Sequence, residues 1–575
     1  MKKRISLRIL NVTLPIMAMG LSFGQVSWPG CKDLTSADFR KVTLASKQID
    51  TSLWEPIKMA IAPDGRVFFA ERRGRIGVIK PGKQVPVVAW EPKVFWEPRS
   101  TDTKIEDGTL GVALDPGFSS NGFIYIYYSP PEKSVNRLSR FTVKGDVVDI
   151  TTEKMLLEVA TQRDYCCHTG GAMAFNAQGD LFLTTGDNTR SDDQYGAIDE
   201  RPAFTHLDAQ RSAGNTNDLR GKLIRIHPTA DGKFTIPMGN LFPEGTALTR
   251  PEIYSMGHRN PYSMHVDIYT GWVVIGEVGP DADFAAADKG PAQHEEFNLV
   301  KKAGNFGWPF LIGNNIPYNK WDYVKGVTGP TFNPLALKNT SVNNTGLTDL
   351  PPGVPAMLSR EFGKSGKTVD GVEKWSVVQG TTAITGPIYY YDGANPSKIK
   401  LPPQFNKKWI MSDFGAGYLN LATLDENGEK LTDVQRSVIN LGLNRPVAFQ
   451  VGPDGALYVV EYAAGNFTST AETKISRIEY VGDCLPATPV LPTTALLPGS
   501  AKGALAGALM ALVHPGQSIQ LPAGSTGLSL FDLRGRKVWE FLRSSSSSIR
   551  DDEAVSIPAH LRSGVMQVKF SGSSL

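Results

Sequence analysis

Apolar and polar positions alternate along this chain in short runs that share one form. An apolar strand meets a turn of Asp, Pro, Asn and Gly, and a second strand rich in aromatic and β-branched residues follows. The unit reads MAIAPDGRVFFAE from Met59, LGVALDPGFSSNGFIYIYY from Leu110, GAMAFNAQGDLFLTTGD from Gly171, MHVDIYTGWVVIGEVG from Met264 and VAFQVGPDGALYVVEY from Val447. A more degenerate copy reads WIMSDFGAGYLNLATLD from Trp409. Period-two alternation around such a turn predicts a β-hairpin. Hairpins recurring at intervals of roughly 40 residues or more predict the radial blades of a propeller. A sandwich would also show hairpins, but not one self-similar unit over about 400 residues. The fold expected is therefore all-β: a six-bladed β-propeller, followed by a small C-terminal β domain. The 57 glycines and 39 prolines suit a chain with many turns.

The first residues, MKKRISLRILNVTLPIMAMGLSFGQ, read as a secretory signal over 1–24. Lys2, Lys3 and Arg4 form a basic end, Ile9 to Leu21 an apolar part, and Ser22 and Gly24 a small-residue cleavage site. A membrane anchor is the alternative, but the apolar run is short and broken by Asn11, Thr13 and Pro15. The propeller is expected over 25–484. A proline-rich linker, LPATPVLPTTALLPGS, follows over 485–500, and a β-rich sorting or accessory domain over 501–575. The mature protein is expected to be secreted or at the cell surface, where disulfides persist.

Charge excludes some partners. With 60 basic and 57 acidic residues the net charge is +3, and no basic stripe suggests nucleic acid. The four cysteines allow three pairings. Cys31 precedes the first blade and Cys484 follows the last, so a Cys31–Cys484 bond would fasten the closing ring. Cys166 and Cys167 are left as a bond between neighbours, the alternative being two buried thiols.

The segment RDYCCHTGGAMAF gathers the chemistry. His168 follows the cysteine pair and precedes Gly170 and Gly171, which allow close backbone approach to a ligand. Asp187, at the end of the next strand, is a candidate to fix the His168 tautomer and support it as a base; its alternative is a turn aspartate. In MGHRNPYSM, Arg259 is placed to meet an anion or carbonyl, or else to make an inter-blade ion pair. In GEVGPDADF, carbonyls and carboxylates suit calcium. His258, His265 and His294 are too scattered for a zinc motif.

The segments EDGTLGVALDPGF, CCHTGGAMAFNAQGDLFLTTGDNT, NTNDLRGKLIRI, GHRNPYS, GEVGP and KKAGNFGWP resemble the glucose/sorbosone dehydrogenase family from about Leu53 to Tyr480. The resemblance implies a propeller that binds pyrroloquinoline quinone (PQQ) and calcium and oxidises a sugar or related alcohol, passing electrons to an external acceptor. It implies that His168 is the general base, supported by Asp187, and that Arg259 stabilises the charge developing on the cofactor. Asn260 and Arg445 match cofactor contacts, Gly279 and Pro280 match carbonyl ligands of calcium, and Glu106 and Asp192 are expected to meet substrate. The sequence departs from the family in the basic residues that meet the carboxylates of PQQ. MSDFGAGYLN in the fifth blade offers no Lys or Arg, and Val447 stands where a second arginine belongs. The Cys166–Cys167 ring, by likeness to another class of quinone propellers, is expected to offer a platform to the cofactor. The tail, SLFDLRGRKVWEF to IPAHLRSGVMQVKF, resembles sorting domains of type IX secretion, which implies export machinery as a partner. Two other readings compete: a non-catalytic surface propeller binding carbohydrate or protein, and a lactonase-type hydrolase, for which no set of carboxylates is evident.

Overall fold

The computed structural model describes residues 34–97, 105–190, 195, 197–361, 382–415, 417–463, 465 and 468–484, and strands between 509 and 572. The chain divides into two compact units, 1–489 and 490–575.

In the first unit the repeated hairpins form the inner two strands of successive antiparallel blades. Blade one comprises Pro56–Ile61, Val67–Glu71, Ile76–Ile79 and Val87–Trp90. Blade two comprises Thr109–Leu114, Phe123–Tyr128, Val135–Lys144 and Val147–Ala160. Blade three is built on Met173–Phe175, Leu181–Thr185, Lys222–Pro228 and Ile253–Met256, with short added strands. Blade four comprises Pro261–Val266, Val273–Glu277, His294–Val300 and Leu358–Glu361. Blade five comprises Ala383–Tyr389, Lys408–Asp413, Leu419–Leu424 and Leu431–Ile439. Blade six takes Pro446–Val451, Leu457–Glu461 and Lys474–Tyr480 from one end of the propeller and Phe39–Ser46 from the other.

This last pairing closes the ring: Phe39 lies opposite Tyr480 and Ser46 opposite Lys474. Closure gives blade six its outermost strand from the other end of the propeller, so the first and last blades are held together by strand pairing. The cores lie between blades. Phe68 and Val78 of blade one pack with Ile124, Ile126 and Phe141 of blade two, and corresponding apolar clusters join the later blades. Alternating side chains on each strand supply these faces.

One copy of the repeat is corrected by the structure. The degenerate unit from Trp409 is not the inner hairpin of blade five but its second and third strands. Its inner strand is Ala383–Tyr389, which pairs with Lys408–Asp413 across a long connection containing the turn Pro403–Phe405. That insertion separates the two strands in sequence, so the short-turn signature falls one strand late.

The second unit holds a four-stranded sheet, with Gly564–Gly572 between Leu509–Val513 and Ser525–Phe531 and Lys537–Leu542 outside, and a two-stranded pairing of Ser518–Gln520 with Ala554–Ser556. The expected signal segment 1–24 and linker 485–500 lie outside the described residues, as do Cys31 and Asp192. Among the described residues no helix is long and apolar enough to cross a membrane.

Candidate functional site

In an antiparallel hairpin the start of the first strand and the end of the second lie at the same end. The residues just before and after each repeat therefore converge on one mouth of the propeller. A cavity of about 240 Å³ opens there. Blade one gives it Ile57 and Arg72, blade two Glu106 and Leu110, and blade three the run Cys167 to Gly170. Blade four gives Arg259, Asn260, Tyr262, Val278 and Asp281; blades five and six give Ile384, Phe414, Val447 and Tyr462.

His168 is held by a buried relay. Its Nδ1 lies 2.7 Å from Asp187 Oδ1, and that same oxygen accepts from Thr189 N and Thr189 Oγ1, each at 2.9 Å. Asp187 Oδ2 accepts from Trp308 Nε1 at 2.7 Å. Burial alone would raise the Asp187 carboxyl, but His168, Arg259 and the Thr189 N–H together hold it below the ordinary carboxylate value. An ionised carboxylate only accepts, so the Nδ1 proton of His168 donates to it and Nε2 is left as the basic nitrogen. Trp308 belongs to the GNFGWP segment, whose role the sequence reading did not identify.

Backbone contacts fix this relay to the arginine loop. Asp187 N donates to Arg259 O at 2.8 Å, and Gly170 N donates to Asn260 Oδ1 at 3.2 Å. Gly170 and Gly171 take positive φ of 66° and 101°, and His168 itself sits at 63°. This left-handed turn directs the histidine into the mouth rather than along the sheet. Glu106 accepts from Thr169 N at 2.9 Å and from Asn260 Nδ2 at 3.3 Å. The structure thus brings His168, Asp187, Arg259, Asn260 and Glu106 together, as the sequence predicts.

Cys166 and Cys167 are bonded to each other, and Cys167 lines the cavity beside His168. No described cysteine is a free thiol, while the expected Cys31–Cys484 pair has one member outside the described residues. Arg445 stands beside the cavity, behind one of its wall residues. It is absent from the cavity wall, and its guanidinium lies 5.4 Å from the ring centroid of Phe414, which does line the cavity.

The expected calcium ligands are arranged differently. Gly279 O accepts from Arg259 Nη1 at 2.6 Å, and Pro280 O accepts from Ala282 N at 2.9 Å. A guanidinium on one of the two carbonyls opposes a cation at the same oxygen, so the pair as arranged does not fit calcium. Among the described residues no cluster of His, Cys, Asp and Glu is arranged to hold a metal ion. An aromatic, anionic ligand finds apolar and cationic contacts here, beside the carboxylates of Glu106 and Asp281. Apolar walls from Ile57, Leu110, Phe414 and Val447 face the cationic Arg259 and the amide of Asn260, and a buried Lys58 Nζ without a hydrogen-bond partner lies against Tyr262.

Several wall residues were not legible as functional in the sequence. Glu55, fully buried, accepts from Arg72 Nη2 at 2.9 Å, Arg73 Nε at 2.9 Å and Tyr462 Oη at 2.5 Å. This knot joins blade one to blade six at the rim. Arg72 and Glu55 flank the first hairpin at its open end, and that position is the one signal that would have found them.

Comparison with known proteins accords with this architecture. Residues 53–348 match the family model described as Glucose / Sorbosone dehydrogenase, more than half of the chain. The chain belongs to that family. It is 25% identical over 295 residues to quinoprotein glucose dehydrogenase B of Acinetobacter calcoaceticus, covering 49% of this chain and 56% of that protein. It is 27% identical over 236 residues to aldose sugar dehydrogenase YliI of Escherichia coli, covering 40% of this chain and 54% of that protein. The chain thus spans about half the length of these two curated relatives. Mouse Hedgehog-interacting protein is 24% identical over 250 residues, covering 39% of this chain and 32% of that protein. The apo-form crystal structure of soluble aldose sugar dehydrogenase from Escherichia coli superposes with a TM-score of 0.49 at 20% identity, covering 77% of this chain and 99% of that one.

Proposed function

We propose that this family member is an exported, PQQ-dependent oxidoreductase that oxidises an aldose-type sugar or related alcohol. The observation that carries the reading is the Trp308–Asp187–His168 relay ending at the wall of the cavity that Arg259 and Asn260 share. The relatives named as quinoprotein and aldose sugar dehydrogenases support the substrate class.

Bound in this mouth, the quinone would supply the two-electron acceptor. The residues of the chain do the rest. His168 Nε2 takes the proton from the substrate hydroxyl, and the imidazolium so formed is stabilised by ionised Asp187 at 2.7 Å. Trp308 and Thr189 keep that carboxylate from rotating away. Arg259 places a fixed positive charge where negative charge develops, and Asn260 and Cys167 would contact the quinone. Glu106, oriented by Thr169 and Asn260, would accept hydrogen bonds from substrate hydroxyls. The vicinal Cys166–Cys167 bond supports an oxidising compartment, in keeping with an exported chain.

Stoichiometric titration of the mature protein with PQQ, read by absorbance and followed by dye reduction with a panel of aldoses, tests the reading. Binding with turnover is expected. A second reading, a propeller that binds without turnover, draws on the relatedness to Hedgehog-interacting protein and on the apolar Phe414 and Val447 wall. Absence of PQQ binding at tens of micromolar would select it.

A further inference from the structure

The centre of the propeller holds a buried cation that the relay does not use. Lys58 lies on the inner strand of blade one, next to Ile57, which lines the cavity; Lys58 itself is buried just outside the cavity wall. Its Nζ is buried and makes no hydrogen bond. The ammonium sits 3.4 Å from the ring centroid of Tyr262. Tyr262 belongs to blade four, on the opposite side of the ring, and also lines the cavity.

An ammonium taken from water without a hydrogen-bonded counter-charge is costly, and a ring face recovers only part of the loss. Glu106 is the carboxylate whose charge bears on Lys58, yet its oxygens receive the hydrogen bonds of Thr169 and Asn260. Arg72, the nearby guanidinium of the same wall, is committed: Nε and Nη2 to Glu55, Nη1 to the carbonyls of Trp96 and Asp107. A methionine would fill the Lys58 position without the charge.

We propose that Lys58 is the anion anchor of the cavity and binds a carboxylate of a planar, carboxylated ligand that enters beside Tyr262. For the identity of that ligand the inference rests on the quinone reading; the anchor itself does not require it. It would replace, from blade one, the basic residues that the sequence lacks in blades five and six.

Burial pushes Lys58 down to about 7, against the opposing charge of Glu106. Tyr262, on blade four, is held far above its ordinary value by burial, so it stays neutral; Glu55 and Arg72, which bear on Tyr262, offset one another. A bound carboxylate raises the Lys58 value. Affinity is then full below pH 7 and falls as pH rises through the value of the bound state.

The experiment uses the mature full chain and its Lys58→Met variant, with equilibrium titrations of PQQ and of pyridine-2,4-dicarboxylate at pH 6 and pH 9, read by absorbance and tryptophan fluorescence. Thermal melts check folding, and Lys58→Met is expected to melt at the same temperature or higher, since a buried charge becomes apolar. The expected result is tenfold or greater weakening of both probes in the variant at pH 6, with the pH dependence of the wild type lost. If the wild type binds the dicarboxylate but not PQQ, and the variant loses it, the anchor stands and the quinone reading fails. If PQQ binds both proteins equally at both pH values, the quinone reading stands and the anchor is overturned. If neither probe binds the wild type, both are overturned. Should Lys58→Met fail to fold, Lys58→Gln carries the same comparison.

Discussion

At the scale of single residues, the site depends on a proton held at a stated atom. His168→Ala is expected to lower turnover by about 10²–10⁴-fold, the range of a lost general base, while PQQ affinity in the same absorbance titration stays within a few-fold. Asp187→Asn tests a different feature. The amide can present its NH₂ to Nδ1, which favours the tautomer with the proton on Nε2, so turnover should fall although the ring remains in place. Retained turnover in either variant would remove the relay from the mechanism. The histidine, aspartate and arginine were all legible in sequence because they flank the repeated hairpins. Trp308 was not: it arrives 121 positions after Asp187 in the chain and meets it only through folding.

At the scale of elements, the turn that carries His168 is packed against the next strand end. A Cβ added at Gly186 would lie 2.3 Å from the carbonyl oxygen of His168. Gly186→Ala is therefore expected to cost about 1–3 kcal/mol in urea unfolding, the range for overpacking, and to lower turnover by shifting His168. The rim knot between blades one and six is the second element-scale device. Glu55→Gln removes the charge that Arg72 faces while Arg72 stays buried, and breaking such a pair costs about 3–5 kcal/mol. Chemical denaturation would check it; a change below 1 kcal/mol would show that the knot contributes little. The repeat pattern revealed five inner hairpins correctly but misread blade five, because the insertion between Tyr389 and Lys408 removes the local signal.

At the scale of the whole molecule, the interior titrates in two opposing directions. Burial raises Glu295 to about 7, with Arg360 opposing, and raises Asp107 to about 6, with Arg163 opposing. Glu296 is raised as well, by burial and then by the neighbouring Glu277. Carboxyls whose folded values lie above their unfolded ones bind more protons when folded, so their contribution is full below pH 4 and is lost as pH rises through 6 to 7. Burial lowers Lys58 and Lys222 to about 7. Those amines bind fewer protons when folded, so stability recovers from pH 7 towards 10. A minimum of Tm near neutral pH is expected between pH 5 and pH 10, made shallower on its acid side by Glu295→Gln. A Tm that rises steadily from pH 5 to pH 8 would contradict these assignments.

The sequence by itself determined the blade count, five of the inner hairpins and the strand-end residues of the site. Period-two alternation and turn chemistry are local, and the open ends of repeated hairpins must share one mouth. Only the tertiary structure decided which groups face one another across that mouth. Lys58 meets Tyr262, three blades further along the chain, because opposite blades touch only at the axis. Arg259 takes the Gly279 carbonyl that the sequence reading gave to calcium, and Arg445 turns to Phe414, because side-chain partners are chosen by proximity after the ring closes. A linear pattern carries no record of that choice.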